Sequence, residues 1–191
     1  MLGQLFRFSK NKTTDYLIKF LISVVLLGLA CPLVLTLRGD TPVTLQSLVV
    51  VLVAISFGWT IAVPAVITYI LLGMAGLPVF PGFEGGMDRL SGEFGGFYFG
   101  FVAAAAVSGW LALKPSAHRP LWLLLNWTIG HAVILLLGGL WLRNFNPDGW
   151  PTMLQDALPG AAIKIAFGLL LSRTIYRGLV GRDEFYGNGR G

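Results

Sequence analysis

Lys164 interrupts an apolar run, residues 157–180, that is otherwise of membrane type. An ionised side chain at a bilayer centre costs on the order of 2.5–3.5 kcal/mol on insertion scales, and less toward the interface. Two readings follow. The lysine either snorkels its ammonium to the outer boundary or faces a bundle interior, where an anionic or carbonyl-bearing ligand offsets its desolvation. Other residues fit the second reading. Arg89, in a polar loop, can pair with a ligand carboxylate or simply be solvated. Gln46 offers both a donor and an acceptor, and Glu93 an acceptor, to a polar ring. Phe94, Phe97 and Tyr98 can wall a flat ligand or form an interfacial aromatic belt. Gly95 and Gly96 let main chain approach a ligand closely. Ser108 and His131 have the residue types of a hydrolase dyad. Their context opposes that chemistry, because Ser108 lies well inside an apolar segment and no oxyanion-hole motif accompanies it.

The elements that must position these residues are membrane helices. Of 191 residues, 55% are hydrophobic and only 12% charged, and the mean hydropathy is +0.73. Soluble domains carry roughly twice that charge. The chain reads as an all-α integral membrane protein of one domain, a six-transmembrane-helix bundle over residues 17–180. A cytoplasmic segment, 1–16, precedes it and a polar glycine-rich tail, 181–191, follows. The spans fall at 17–37, 43–57, 61–77, 93–113, 121–142 and 157–180, with Asp40, Thr41 and Pro42 breaking the chain after the first and the turn-rich RNFNPDGWP preceding the last. The third stops at Pro78 and carries Pro64 in its first turn, where proline is tolerated. Lys164 then lies seven residues into the sixth helix, about 10 Å below its outer end.

Charge orients the bundle. Arg7, Lys10, Lys12, Lys19, Lys114, Arg119, Arg173, Arg177, Arg182 and Arg190 gather on one side of the alternating helices, against Arg38, Arg89 and Arg143 on the other. Both termini are therefore expected in the cytoplasm. The basic residues sit at helix ends rather than on one polar face, which argues for topology and against nucleic acid despite a pI near 9.7. The opposite loops are acidic, with Asp40, Glu84, Asp88, Glu93, Asp148 and Asp156. Between the third and fourth helices lies a loop, 78–92, dense in glycine and aromatics. Irregular backbone at membrane depth is tolerated only where protein or a water-lined cavity covers it, so the loop is a candidate lid or pocket wall. The lone Cys31 is expected simply to pack. Two histidines and one cysteine without ligand spacing offer no metal set, no cofactor motif is present, and without a phosphate-binding P-loop the chain cannot hydrolyse ATP itself.

The runs TPVTLQ (41–46), YILLGMAGLPVF (69–80), GGFYFGF (95–101), GGLW (138–141) and LPGAAIK (158–164) occur in order. Together they resemble the successive signatures of the BioY family, the biotin-binding S components of energy-coupling-factor vitamin transporters. The resemblance spans residues 41–180. It implies a six-helix bundle in a bacterial plasma membrane, with a vitamin pocket near the outer face capped by the 78–92 loop. It also implies a transmembrane coupling subunit and two ATPase subunits as partners. Biotin is the ligand it implies, held by Lys164, Tyr98 and their neighbours. An alternative is a different small vitamin-like or anionic ligand on the same fold. The chain departs from the family pattern in three places. Gly92, Glu93, Phe94, Gly95 and Gly96 stand where the family usually reads Gly-Pro-Thr-Gly-Gly. Ala161 replaces an aspartate three residues before the lysine, where a carboxylate would accept hydrogen bonds from a ureido ring. The first helix lacks the Ala-x-x-x-Ala pattern expected to dock a coupling subunit; Gly28 and Ala30 are its nearest small residues.

Overall fold

The computed structural model describes residues 6–36 and 42–187, with residues 35, 36, 42, 43 and 179–187 described by their backbone alone. Arg38, Asp40, Thr41 and Arg190 lie outside the described residues. The chain is helical: α1 (Lys12–Ala30), α2 (Gln46–Phe57), α3 (Trp59–Met74), the short α4 (Asp88–Ser91), α5 (Gly95–Leu111), α6 (Pro120–Leu142) and α7 (Gly149–Gly187). Three of these, α1, α6 and α7, are long and apolar enough to cross a membrane, while α2, α3 and α5 are shorter apolar helices. Helix α1 exposes Leu17, Leu21, Val25 and Leu29 and buries Lys19, Ser23 and Leu27. A helix that turns its leucines outward and its polar groups inward suits lipid rather than water as solvent. Lys19 is held inside by Asp15, 2.5 Å away one turn earlier.

Helix α2 forms the centre. Ten of its twelve residues are buried, as expected of a helix apolar on every side. Helices α5 and α6 pack against each other more extensively than any other pair, and small residues make that possible. Gly96, Gly100, Ala104 and Ser108 recur every four residues along one face of α5. A Cβ on Gly100 would stand 3.0 Å from the Ile134 Cα, and one on Gly96 would collide with Trp141. The spacing is the small-xxx-small pattern that brings membrane helices into backbone contact.

Several helix boundaries differ from those read in the sequence, and three of the differences have a clear local reason. The first helix ends at Ala30, not 37, because Pro32 has no amide to continue the ladder. The β-branched stretch beyond it forms β1 (Val34–Thr36), antiparallel to β2 (Pro42–Thr44) with Leu35 opposite Val43. This ribbon is an addition to the all-helical expectation. Helix α3 ends before Pro78, in a Schellman turn: Leu77 N donates to Leu72 O and Gly76 N to Gly73 O. Gly76 takes the left-handed conformation, φ +96°, that this turn requires. The last helix starts at Gly149 rather than 157. Pro151 falls in its first turn, where the missing N–H would have had no partner anyway.

Proline 64 lies inside α3 and frees the carbonyl of Thr60 four residues earlier. Tyr16 Oη, on α1, donates to that oxygen at 3.3 Å, so the break in one helix becomes a tie to its neighbour. Cys31 is buried and unpaired in the core.

Candidate functional site

Helices α2, α5, α6 and α7 and the 81–94 stretch enclose a cavity of about 1030 Å³. Helix α7 contributes a continuous stripe from Gly149 through Asp156 and Gly160 to Lys164. These positions repeat at three and four residues and so share one helix face. Lys164 ends the stripe. With α7 starting at Gly149, it is fifteen residues into the helix, about 22 Å from its end rather than 10 Å. It does not snorkel outward: it is half-buried, and Nζ donates to Ser47 Oγ on α2 at 2.9 Å. No carboxylate pairs with it among the described residues. Ala161 borders the cavity one turn above, on the face where the sequence placed it.

Gln46, the first residue of α2, is buried and its Nε2 donates to Tyr69 Oη at 2.7 Å. Tyr98 is also buried and borders the cavity with Phe97 and Phe101. Its ring leans on Phe80 at 4.7 Å between centroids and meets Phe101 edge-on at 5.8 Å. Such tilted aromatic pairs form a rigid apolar wall. Toward the mouth stand Arg89, Glu93 and Phe94, the last two exposed. Arg89 forms an ion pair with Glu84 across the loop, both side chains a little over 40% exposed. Of the eight candidate binding residues read in the sequence, Lys164, Tyr98, Arg89, Gln46, Glu93 and Phe94 border this one cavity. Gly95 and Gly96 do not: Gly95 is buried against the Leu90 backbone and the edge of Trp141, and Gly96 against Trp141, where they serve close packing.

The 78–92 loop is tied down at several points. Phe80 is fully buried, between the rings of Tyr69 and Tyr98, in the space that a side chain on Gly73 would occupy. Gly86 N donates to Gly73 O at 2.7 Å and Gly82 N to Pro32 O at 3.0 Å. At the far end Trp141 Nε1 donates to Gly92 O at 3.0 Å. Gly82 and Gly86 adopt positive φ, +75° and +111°, which glycine alone accommodates without strain. Between these ties the tip, with Phe83 63% exposed, faces outward.

Ser47 was missed in the sequence, since a serine beside Gln46 carries no sign of a lysine 117 positions away. The hydrolase pairing is not assembled. Ser108 Oγ is buried against Gly130, has no hydrogen-bond partner and does not border the cavity. Asn126 instead ties α6 to α5, its Nδ2 donating to Ser108 O at 3.0 Å.

Outward-facing leucines, a small-residue helix interface and a solute-sized cavity at whose inner end a lysine sits define an integral membrane protein built as a helical bundle around a ligand site. Residues 7–180 match the model of the BioY family. The chain belongs to that family, which is one of transporters rather than enzymes. Over 107 residues it is 42% identical to the biotin transporter BioY of Thermotoga maritima, a match covering 56% of this chain and 62% of that protein's length. It is 32% identical over 163 residues to the biotin transporter BioY2 of Lactococcus lactis subsp. cremoris, covering 81% of this chain and 86% of the relative. The fold is similar to the crystal structure of the S-component for biotin from an ECF-type ABC transporter. There the TM-score is 0.74 at 18% identity, over 88% of this chain and 94% of the other.

Proposed function

We infer that this chain is the substrate-binding subunit of a biotin uptake system. Supporting this are its family, its biotin-transporting relatives and above all one observation: the cavity-lining Lys164 ammonium is held by the Ser47 hydroxyl and, among the described residues, by no carboxylate. A donor-only group in that place suits the carbonyl of a ureido ring. Tyr98 and Phe101 stack on the bicyclic headgroup, Gln46 and Glu93 add polar contacts, and Phe94 shapes the entrance. Arg89, released from Glu84, pairs with the carboxylate at the mouth. The 78–92 loop closes over the bound vitamin. The bundle crosses a bacterial plasma membrane six times with both termini in the cytoplasm, and a transmembrane coupling subunit with two ATPase subunits supplies the energy.

The test is an equilibrium titration of the detergent-purified protein with biotin, followed by tryptophan fluorescence, beside Lys164→Ala. The native chain is expected to bind at nanomolar to low-micromolar concentration and the variant at least tenfold more weakly, about 1.4 kcal/mol. Failure of the native chain to bind would sink the biotin assignment. It would favour a different vitamin-like anion, a reading to which the loss of an acceptor at Ala161 lends weight.

A further inference from the structure

His131 is 3% exposed and borders the cavity from α6. Helix α6 meets the mouth of the cavity near Leu142, and His131 lies eleven residues further along it, about 16 Å deeper. It is the deepest residue that α6 contributes, as Phe101 is for α5 and Lys164 for α7. These side chains form the floor. Nδ1 of His131 lies 3.0 Å from the Trp127 carbonyl oxygen of its own helix. A carbonyl can only accept, so Nδ1 carries the ring proton, and in the neutral ring Nε2 is left as a bare acceptor. Because Nδ1 faces the α6 backbone, Nε2 on the opposite ring edge faces away from it. Among the described residues three buried side-chain atoms have no hydrogen-bond partner, and of the residues that carry them only His131 borders the cavity.

A buried acceptor without a partner is unfavourable in the empty site and becomes favourable when a ligand brings a donor. The floor thus offers a donor-only ammonium from α7 and an unused acceptor from α6. A flat ring in which a carbonyl is flanked by N–H groups matches both. The carboxylates that border the cavity, Glu84, Glu93, Asp148 and Asp156, are all on exposed residues, and Ala161, beside Lys164, has no acceptor to give. We propose that His131 is a ligand-binding residue: its Nε2 accepts the hydrogen bond of a ureido N–H while Lys164 donates to the ureido carbonyl. This deepens, and rests on, the biotin reading. It also answers how the site receives the N–H donors of the ligand when the helix-face carboxylate is missing.

The experiment compares the full chain with His131→Phe, which keeps a flat ring and removes the acceptor, and with His131→Gln, whose amide oxygen reaches toward the Nε2 position. Biotin affinity is expected to fall at least tenfold in the phenylalanine variant and to stay within threefold of native in the glutamine variant. In parallel, ¹⁵N-histidine-labelled protein in a His118→Gln background gives one imidazole to follow. Its Nε2 resonance should move upfield from the bare-acceptor range at saturating biotin. That readout uses the native site and stands even where the phenylalanine variant fails to fold. An Nε2 resonance that does not move, or equal biotin affinity in the native and phenylalanine proteins, overturns the assignment of His131 alone. Absence of biotin binding by the native chain overturns the biotin reading and this inference with it.

Discussion

Arg89 and Lys164 carry the same charge and live under different rules. The Arg89–Glu84 pair is more than 40% exposed on both sides, and such pairs contribute about 0.2–1 kcal/mol. A ligand carboxylate can therefore take over the arginine at small cost. Arg89→Gln is expected to weaken biotin binding about three- to tenfold and to leave binding of biotin amide unchanged, as titration of both ligands would read. Equal loss for the two ligands would remove Arg89 from carboxylate recognition. Lys164 could be singled out in the sequence because a charge in an apolar run is conspicuous. Its depth could not, because Gly149, Trp150 and Pro151 have turn chemistry and nevertheless open a helix. Nor could its hydrogen bond, since pairing with Ser47 depends on how α2 and α7 are brought together. Gly95 and Gly96 show the opposite limit: glycine beside aromatics suggests approach to a ligand, whereas here the approaching groups are the Leu90 carbonyl and Trp141.

Among the elements, the α5–α6 seam and the loop after α3 carry the site. A side chain at Gly100 would press on the Ile134 backbone, and overpacking of this kind costs about 1–3 kcal/mol. Gly100→Leu should lower the thermal midpoint of the detergent-solubilised protein by several degrees; an unchanged midpoint would mean that the seam yields. The loop hangs on Phe80, and truncation of a buried phenylalanine typically costs 3–5 kcal/mol. In Phe80→Ala, limited proteolysis within 78–92 should accelerate and biotin affinity should drop, while the helices remain intact by circular dichroism. Proteolysis at the native rate would show that the ties at Gly86 and Gly92 suffice. The six long apolar helices were legible, because apolar runs are unambiguous, whereas the polar single turn α4 falls in a stretch read as loop. Helix ends were not: Pro32 and the Schellman glycine at 76 overrule hydropathy, which cannot distinguish an apolar strand such as Val34–Thr36 from the last turn of a span. The four-residue spacing of Gly96, Gly100, Ala104 and Ser108 was a readable signal of helix contact, obscured by the glycine-rich loop just before it.

For the whole molecule, the proposed orientation has a direct check. Phe83, at the loop tip, is 63% exposed, and the native cysteine is buried. In intact cells a Phe83→Cys variant should react with a membrane-impermeant maleimide, and more slowly when biotin is present. Labelling only after permeabilisation would invert the topology. Family and bundle could be recognised from short runs kept in order along the chain, whereas the cavity needed distant segments brought together and so appeared only with the fold. One dimension of that fold has a mechanical side. At 39 residues, with Pro159 inside it, α7 runs for about 58 Å, nearly twice the roughly 30 Å of a hydrocarbon core. Lys164 grips it near the pivot, and 23 residues, about 35 Å with no proline, run on to Gly187. A tilt of only about 5° at the lysine would swing that far end by about 3 Å. Whatever holds the end of α7 would feel such a tilt as a displaced lever, with no need to touch the vitamin.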